Sequence, residues 1–203
     1  MSIKERYTVG GRALASRSVG GLARTRVTPN MLTASGVTLC AVAALLVGFA
    51  DHNELLFYWF GAVTFVVGSL LDILDGALAR AGGKGTPFGA FLDSTTDRIG
   101  EGLMLLAIAL VFANDGNMVA MAFAFAAVMG SFLVSYTRAR AEALGLKGDV
   151  GIGSRAERVV VITTGLVLAP WGLLPWAIYL LAATAWFTVG QRVWSVRAQL
   201  RAR

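Results

Sequence analysis

The stretch Asp72–Asp97, DILDGALARAGGKGTPFGAFLDSTTD, sets four carboxylates into otherwise apolar sequence. Asp72 and Asp75 are three residues apart, and Asp93 and Asp97 are four apart, so on helices each pair shares one face. The glycine-rich segment between the pairs predicts a turn that lets the two helices face each other. An ionised carboxylate in an apolar environment is costly unless it is paired or bound to a cation. The stretch therefore predicts a site for one or two divalent metal ions.

The composition of the whole chain indicates an integral membrane protein. Of its 203 residues, 56% are hydrophobic and only 15% are charged, and the mean hydropathy is +0.67. These values are too apolar for an ordinary soluble domain. The single cysteine, Cys40, excludes an internal disulfide. No cleavable signal peptide is expected, because charges interrupt the first 28 residues throughout.

Hydropathy predicts six membrane-spanning helices and their orientation. Windows of about 20 apolar residues place the helices at 31–50, 55–80, 88–113, 117–141, 157–172 and 174–194. None of the 18 lysines and arginines lies in the links 51–54, 114–117 or 170–175. The positive-inside rule therefore puts both termini and the acidic hairpin in the cytoplasm. The net charge of +6 follows from this topology, so no nucleic-acid partner is expected.

The segments outside the helices divide the chain into three parts. Residues 3–26 alternate basic and apolar positions, which favours an amphipathic helix on the cytoplasmic membrane surface. Thr28-Pro29-Asn30 is typical of a helix start. We expect a juxtamembrane segment at 1–28, an all-α membrane domain of six helices at 29–196, and a basic cytoplasmic tail at 197–203.

Eight residues of the acidic stretch form the pattern D-x2-D-G-x2-A-R-x8-G-x3-D-x3-D. They are Asp72, Asp75, Gly76, Ala79, Arg80, Gly89, Asp93 and Asp97. On this pattern the chain resembles the CDP-alcohol phosphotransferase family. The resemblance implies a homodimeric membrane enzyme in which a hydroxyl attacks the β-phosphorus of a CDP-linked lipid and CMP leaves.

The resemblance also implies roles for individual residues. Asp72, Asp75, Asp93 and Asp97 would hold two metal ions, and Asp97 would also deprotonate the attacking hydroxyl. Carboxylate oxygens suit Mg²⁺, with Mn²⁺ as an alternative, and two ions about 4 Å apart can clamp a phosphoryl group. The CDP-lipid would contact Asn30, Met31, Leu32, Thr33, Gly76, Arg80 and Thr86.

The acceptor alcohol is indicated by residues 135–158, SYTRARAEALGLKGDVGIGSRAER. The basic residues of this segment favour a phosphorylated acceptor, but they also satisfy the positive-inside rule without any catalytic role. The segment is similar to bacterial phosphatidylinositol phosphate synthases, which implies inositol phosphate as acceptor, CDP-diacylglycerol as donor and a bacterial plasma membrane as location. The positions that match their acceptor pocket are Arg138, Arg155 and Arg192. Those synthases more often have proline at the position of Ala156 and lysine at the position of Arg138.

Other functions remain open on the residues alone. Glycerol 3-phosphate also carries a phosphate, so a phosphatidylglycerol phosphate synthase is an alternative. An ether-lipid donor would meet the same apolar surface, and an unphosphorylated inositol would leave the arginines without a partner. A divalent-cation transporter is disfavoured, because no acidic residue lies in the middle of the other predicted spans.

Overall fold

The computed structural model describes residues 27–81 and 85–202, which form six α-helices and two short 3₁₀ turns, without a β-strand in that part of the chain. The predicted surface helix at 3–26 lies outside the described residues. The α-helices are α1 (Pro29–Gly48), α2 (Glu54–Ala81), α3 (Pro87–Asn114), α4 (Met118–Ala143), α5 (Arg155–Val167) and α6 (Leu174–Arg201). The 3₁₀ turns are Ala50–His52 and Ala169–Trp171.

The all-helical prediction is confirmed, and the boundaries differ at the last two helices. The segment predicted at 157–172 is α5 followed by the second 3₁₀ turn, because Pro170 cannot continue the helical hydrogen-bond pattern. The last helix continues to Arg201, through most of the predicted tail. Gln199 holds this end in place, since its amide exchanges two hydrogen bonds of 2.9 Å with the Lys147 backbone.

The chain is a membrane protein. Among the described helices, α1, α2 and α4 are long and apolar enough to cross a bilayer by length and composition. The helix α5, with 13 residues, is shorter than a straight bilayer crossing requires. Large apolar side chains such as Leu45, Phe60 and Phe125 are exposed on the outside of the bundle, as expected where lipid is the solvent.

Three of the helices around the acidic stretch, α1, α3 and α5, begin at capping residues. Thr28 and Thr86 cap α1 and α3, and each is followed by a proline at the first helical position. Ser154 caps α5 in a capping box with Glu157, in which each side chain accepts from the other residue's backbone N–H. These caps fix where the three helices begin.

Glycines allow α1 to pack closely against both α2 and α3. A Cβ atom on Gly36 would lie 2.9 Å from the carbonyl oxygen of Gly68, and the reverse substitution would meet Gly36 at the same distance. A Cβ atom on Gly100 would lie 3.0 Å from Cβ of Cys40. Small residues at such crossings let helix backbones approach in a membrane. The three helices therefore lie close to one another at these glycines.

Candidate active site

Three carboxylates of the acidic stretch meet where α2 and α3 face each other. Asp72, Asp75 and Asp93 each offer one oxygen atom, and these atoms lie within 4.8 Å of one another. Asp72 and Asp75 are buried, and Asp93 is half-buried. Oδ1 of Asp75 is buried and has no hydrogen-bond partner among the described residues. A cluster of hard oxygen ligands with an unpartnered buried oxygen fits a divalent metal ion.

Thr33 joins α1 to this carboxylate cluster. Its hydroxyl donates a hydrogen bond to Oδ2 of Asp75 and also lies 3.1 Å from the carbonyl oxygen of Pro29. Because Thr33 is itself buried, the bond fixes the orientation of the Asp75 carboxylate. The sequence predicted Thr33 as a lipid-binding residue, and the structure adds this contact to a metal-ligating position.

Asp97 lies beside the cluster, and its nearest described cation is Arg155. The guanidinium nitrogen Nη2 of Arg155 is 2.8 Å from Oδ1 of Asp97, in an ion pair rather than an aligned hydrogen bond. Nη1 of the same side chain donates to Oδ2 of Asp72. Arg155 therefore bridges carboxylates of α2 and α3, and supplies positive charge from α5. Arg98 is farther away, with its Nη1 atom 4.0 Å from Oδ2 of Asp97.

A first cavity, of about 220 Å³, opens on one side of the cluster, between the starts of α1 and α3 and the end of α2. Two of the clustered carboxylates, Asp75 and Asp93, line it. Five of the seven residues predicted to bind the CDP-lipid also line it, namely Asn30, Thr33, Gly76, Arg80 and Thr86. The structure therefore gathers most of the predicted donor site at one wall of the metal-ligating cluster.

The other two predicted donor residues, Met31 and Leu32, are not among the residues that line this cavity. The Met31 side chain is 55% exposed, and Leu32 is buried with Leu78 in a small apolar cluster. On a helix, residues three apart share a face whereas adjacent residues do not. Asn30 and Thr33 therefore face the cavity, and the two residues between them face elsewhere.

Glycines keep the wall of the first cavity open. A Cβ atom on Gly89 would lie 3.1 Å from Oγ1 of Thr86 and 3.8 Å from Oδ1 of Asn30. A Cβ atom on Gly76 would lie 3.3 Å from Nη1 of Arg80. A side chain at either position would narrow the space in which a ligand can approach the backbone.

A second cavity, of about 150 Å³, opens where Asp97 and Arg155 meet α4 and α6, and it shares no lining residue with the first. All three arginines predicted to bind an acceptor phosphate line it, namely Arg138, Arg155 and Arg192. Arg98, Arg158 and the carboxylates of Glu101 and Asp149 also line it. Several guanidinium groups around one small cavity suit a phosphate ligand.

The three predicted acceptor arginines have different surroundings. Arg138 is exposed and pairs with Glu142 at 2.9 Å, one helical turn away on α4. Arg192 is buried and donates from Nε to the carbonyl oxygen of Val150 at 2.9 Å and from Nη1 to that of Val134. Arg192 therefore also holds the loop before α5 against α4 and α6.

The sequence did not single out Glu101, which pairs with Arg158 below the second cavity. Arg158 is the last of the basic residues of segment 135–158. A signal for Glu101 was available, since it follows Asp97 by four residues and therefore shares the face of α3 that carries Asp93 and Asp97. Asp149 was also missed as a cavity-lining residue.

The family model described as CDP-alcohol phosphatidyltransferase matches residues 26–194. The chain is 38% identical over 181 residues to the archaetidylinositol phosphate synthase of Pyrococcus horikoshii, covering 88% of both chains. It is 40% identical over 174 residues to the phosphatidylinositol phosphate synthase of Mycolicibacterium smegmatis, covering 82% of this chain and 78% of the relative.

The fold is similar to that of the phosphatidylinositol phosphate synthase of Mycobacterium tuberculosis. Its crystal structure with CDP-DAG bound superimposes with a TM-score of 0.80 at 32% sequence identity, covering 91% of this chain and 94% of that one. The structure of the same protein with manganese and citrate gives a TM-score of 0.80 at 33% identity, with 90% and 88% covered.

Proposed function

The chain belongs to the CDP-alcohol phosphatidyltransferase family, and from that premise we propose that it is a phosphatidylinositol phosphate synthase. It transfers the phosphatidyl group of CDP-diacylglycerol to a hydroxyl of inositol phosphate. The hydroxyl oxygen forms a bond to the β-phosphorus, the bond from that phosphorus to the CMP oxygen breaks, and CMP leaves. The relatives in mycobacteria that carry this name support the choice of acceptor.

One observation carries the proposal: two cavities that share no lining residue are both lined by carboxylates of the acidic stretch. The first has glycines in its wall and contains Asp75 and Asp93, and the second is lined by arginines and contains Asp97. A CDP-lipid fits the first cavity, and a phosphorylated alcohol fits the second. Their reacting atoms would then meet at the carboxylates.

The carboxylates hold the divalent metal cofactor of the family, Mg²⁺ or Mn²⁺. Asp72, Asp75 and Asp93 are the ligands grouped in the structure, and Asp97 completes the proposed set for two ions. When bound, the ions supply positive charge that neutralises the diphosphate and stabilises the charge developing on the leaving group. The buried, unpartnered Oδ1 atom of Asp75 supports its assignment as a ligand.

Asp97 is the proposed general base. Among the four aspartates, it is the one that lines the arginine-lined cavity, where the hydroxyl of the acceptor would lie. A base must come within hydrogen-bond distance of the proton that it removes. Asp97 takes that proton as the oxygen attacks, and Arg155 beside it keeps the acceptor phosphate close to the same carboxylate.

The residues proposed to bind the CDP-lipid are those that line the first cavity. Arg80 provides a guanidinium for the diphosphate, and Asn30, Thr33 and Thr86 provide hydrogen-bonding groups. Gly76 and Gly89 leave room for the nucleotide next to the backbone. Met31 and Leu32 were also predicted to bind the CDP-lipid, and they do not line this cavity.

The proposed setting is a bacterial plasma membrane, with six spans and with both termini and the active site in the cytoplasm. The distribution of lysine and arginine supports this orientation. The protein is proposed to act as a homodimer, with a juxtamembrane segment at 1–28, a membrane domain at 29–196 and a basic tail at 197–203.

A second candidate differs only in the donor. Relatives at 38% and 37% identity are named archaetidylinositol phosphate synthases, which favours an ether-lipid CDP donor as the alternative. The acceptor cavity would be the same in both cases. The acyl or ether chains would contact apolar side chains, which distinguish poorly between the two linkages.

The test is a CMP-release assay on the purified protein with Mg²⁺. CDP-diacylglycerol and its ether-lipid analogue are each paired with inositol phosphate, glycerol 3-phosphate and free inositol. Turnover with inositol phosphate and CDP-diacylglycerol is the expected result. Preference for the ether lipid would change the assigned donor to the ether-lipid analogue, and turnover only with glycerol 3-phosphate would change the assigned acceptor. No turnover with any pair would contradict the proposal.

A further inference from the structure

A buried ion pair forms part of the wall of the second cavity. Nε and Nη2 of Arg158 lie 2.6 Å and 2.7 Å from Oε1 and Oε2 of Glu101, and both side chains are 5% exposed. The remaining nitrogen, Nη1, donates to the carbonyl oxygen of Gly153 at 2.8 Å. The two residues satisfy each other and the loop, so they are poorly placed to bind a ligand although they lie at the cavity's floor.

The Glu101–Arg158 pair joins α3 to α5, as the Asp97–Arg155 pair also does. Glu101 follows Asp97 by four residues on α3, and Arg158 follows Arg155 by three residues on α5. The Asp97–Arg155 and Glu101–Arg158 pairs are therefore parallel links between α3 and α5, about 6 Å apart along the axis of α3. One link lies among the proposed catalytic groups, and the other is buried behind it.

The Arg158 side chain also holds the loop before α5. Gly153 accepts from Arg158, and the next residue, Ser154, caps the helix. A Cβ atom on Gly153 would lie 2.9 Å from Oγ1 of Thr188, so the loop is also pressed against α6. Arg158 thus links α5 both to α3 and to the loop residue directly before the Ser154 cap.

We propose that Glu101 and Arg158 are positioning residues for Arg155, an inference that rests on the proposed function. The forked, two-bond contact fixes the start of α5 against α3, and thereby holds the Arg155 guanidinium between Asp72, Asp97 and the acceptor cavity. Neither residue touches the donor cavity. Loosening the pair should therefore weaken acceptor binding selectively.

Two variants test this without leaving an isolated buried charge. Arg158→Lys keeps the charge but loses the forked geometry and the bond to Gly153. The double variant Glu101→Met/Arg158→Met replaces the pair by apolar side chains of similar volume, which buried sites often tolerate. Glu142→Gln is the matched control, because it removes a carboxylate paired with another arginine of the same cavity wall at an exposed position.

The kinetic constants of the full-length protein and its affinity for Mn²⁺ are the readouts. We expect both variants to raise KM for inositol phosphate about tenfold, while KM for CDP-diacylglycerol and the Mn²⁺ affinity change less than about twofold. Glu142→Gln should leave all three within about twofold. A purely structural role would instead lower kcat per mole of protein and leave both KM values unchanged, and that result overturns the inference. An equal rise in the KM values for inositol phosphate and for CDP-diacylglycerol also overturns it.

The result of this variant test can be interpreted whichever acceptor the wild-type protein uses. The wild-type protein shows which acceptor is used, and the ratio of variant to wild-type KM is measured with that acceptor. If glycerol 3-phosphate is the acceptor, its phosphate would use the same arginine, so the same selective rise is expected. If the double variant does not fold, Arg158→Lys decides the question.

Discussion

The Nη2 atom of Arg155 lies 2.8 Å from Oδ1 of Asp97, although the two residues are on different helices. The proposed general base and a proposed acceptor-binding residue are thus in direct contact. A phosphate held by Arg155 would bring its alcohol next to the carboxylate that removes the proton.

Replacing Asp97 by Asn removes the proposed base and keeps the size of the side chain. We expect kcat to fall by about 10²-fold or more, the usual contribution of a general base, while CDP-diacylglycerol still binds. Single-turnover CMP release and equilibrium binding of the CDP-lipid measure the two quantities. Asp115→Asn, at an exposed position after α3, is the control. Normal turnover in Asp97→Asn would exclude the base assignment.

Arg155→Ala and Arg192→Ala should each raise KM for the phosphorylated acceptor about tenfold, because hydrogen bonds to charged groups contribute about 1.5–3 kcal/mol. KM for CDP-diacylglycerol should change little. Arg140→Ala, at an exposed position in the last turn of α4, serves as control. Equal weakening of both substrates would contradict the acceptor pocket.

Thr33→Val removes the hydroxyl that donates to Asp75 and preserves the shape of the side chain. Bonds that orient a metal ligand typically contribute 10–100-fold to metal affinity, so we expect Mn²⁺ binding to weaken by about tenfold or more. Electron paramagnetic resonance of free Mn²⁺ measures this directly. The control is Thr38→Val on the same helix, whose hydroxyl bonds only to the carbonyl oxygen of Ala34 in the structure. Unchanged Mn²⁺ affinity in Thr33→Val would show that the bond does not orient a ligand.

Gly36→Ala tests the close crossing of α1 and α2. The added methyl group would lie 2.9 Å from the backbone oxygen of Gly68, which cannot rotate away. We expect a loss of about 1–3 kcal/mol in stability, as for other overpacked sites, measured by unfolding in detergent. Gly48→Ala, near the other end of the same helix, meets nothing within 4 Å and should be close to neutral. Equal stability of the two variants would mean that the crossing relaxes without cost.

The acidic hairpin could be predicted from sequence because its geometry is local. The spacing of Asp72 and Asp75, and of Asp93 and Asp97, sets a shared face on each helix without knowledge of the rest of the fold. The same periodicity would have separated Asn30 and Thr33 from Met31 and Leu32. The resemblance covers the four as consecutive residues, whereas the helix turns Met31 and Leu32 to other sides than Asn30 and Thr33.

The contacts of α5 could not be predicted in the same way. Arg155 meets Asp72 across 83 residues of chain, and Arg158 meets Glu101 across 57. Such contacts depend on how α5 and α6 fold back onto α2 and α3, which no local pattern specifies. The family resemblance indicates which arginines to expect at an acceptor site, and the structure shows that Arg155 meets Asp72 and Asp97.

The separation of the two cavities has a kinetic consequence. If the donor and the acceptor occupy these two cavities as proposed, neither has to leave before the other enters, and the phosphatidyl group would pass directly between them without forming a bond to the protein. Initial rates measured at several fixed acceptor concentrations should give intersecting double-reciprocal lines rather than parallel ones. A single displacement of this kind would also invert the configuration at a phosphorus made chiral with sulfur.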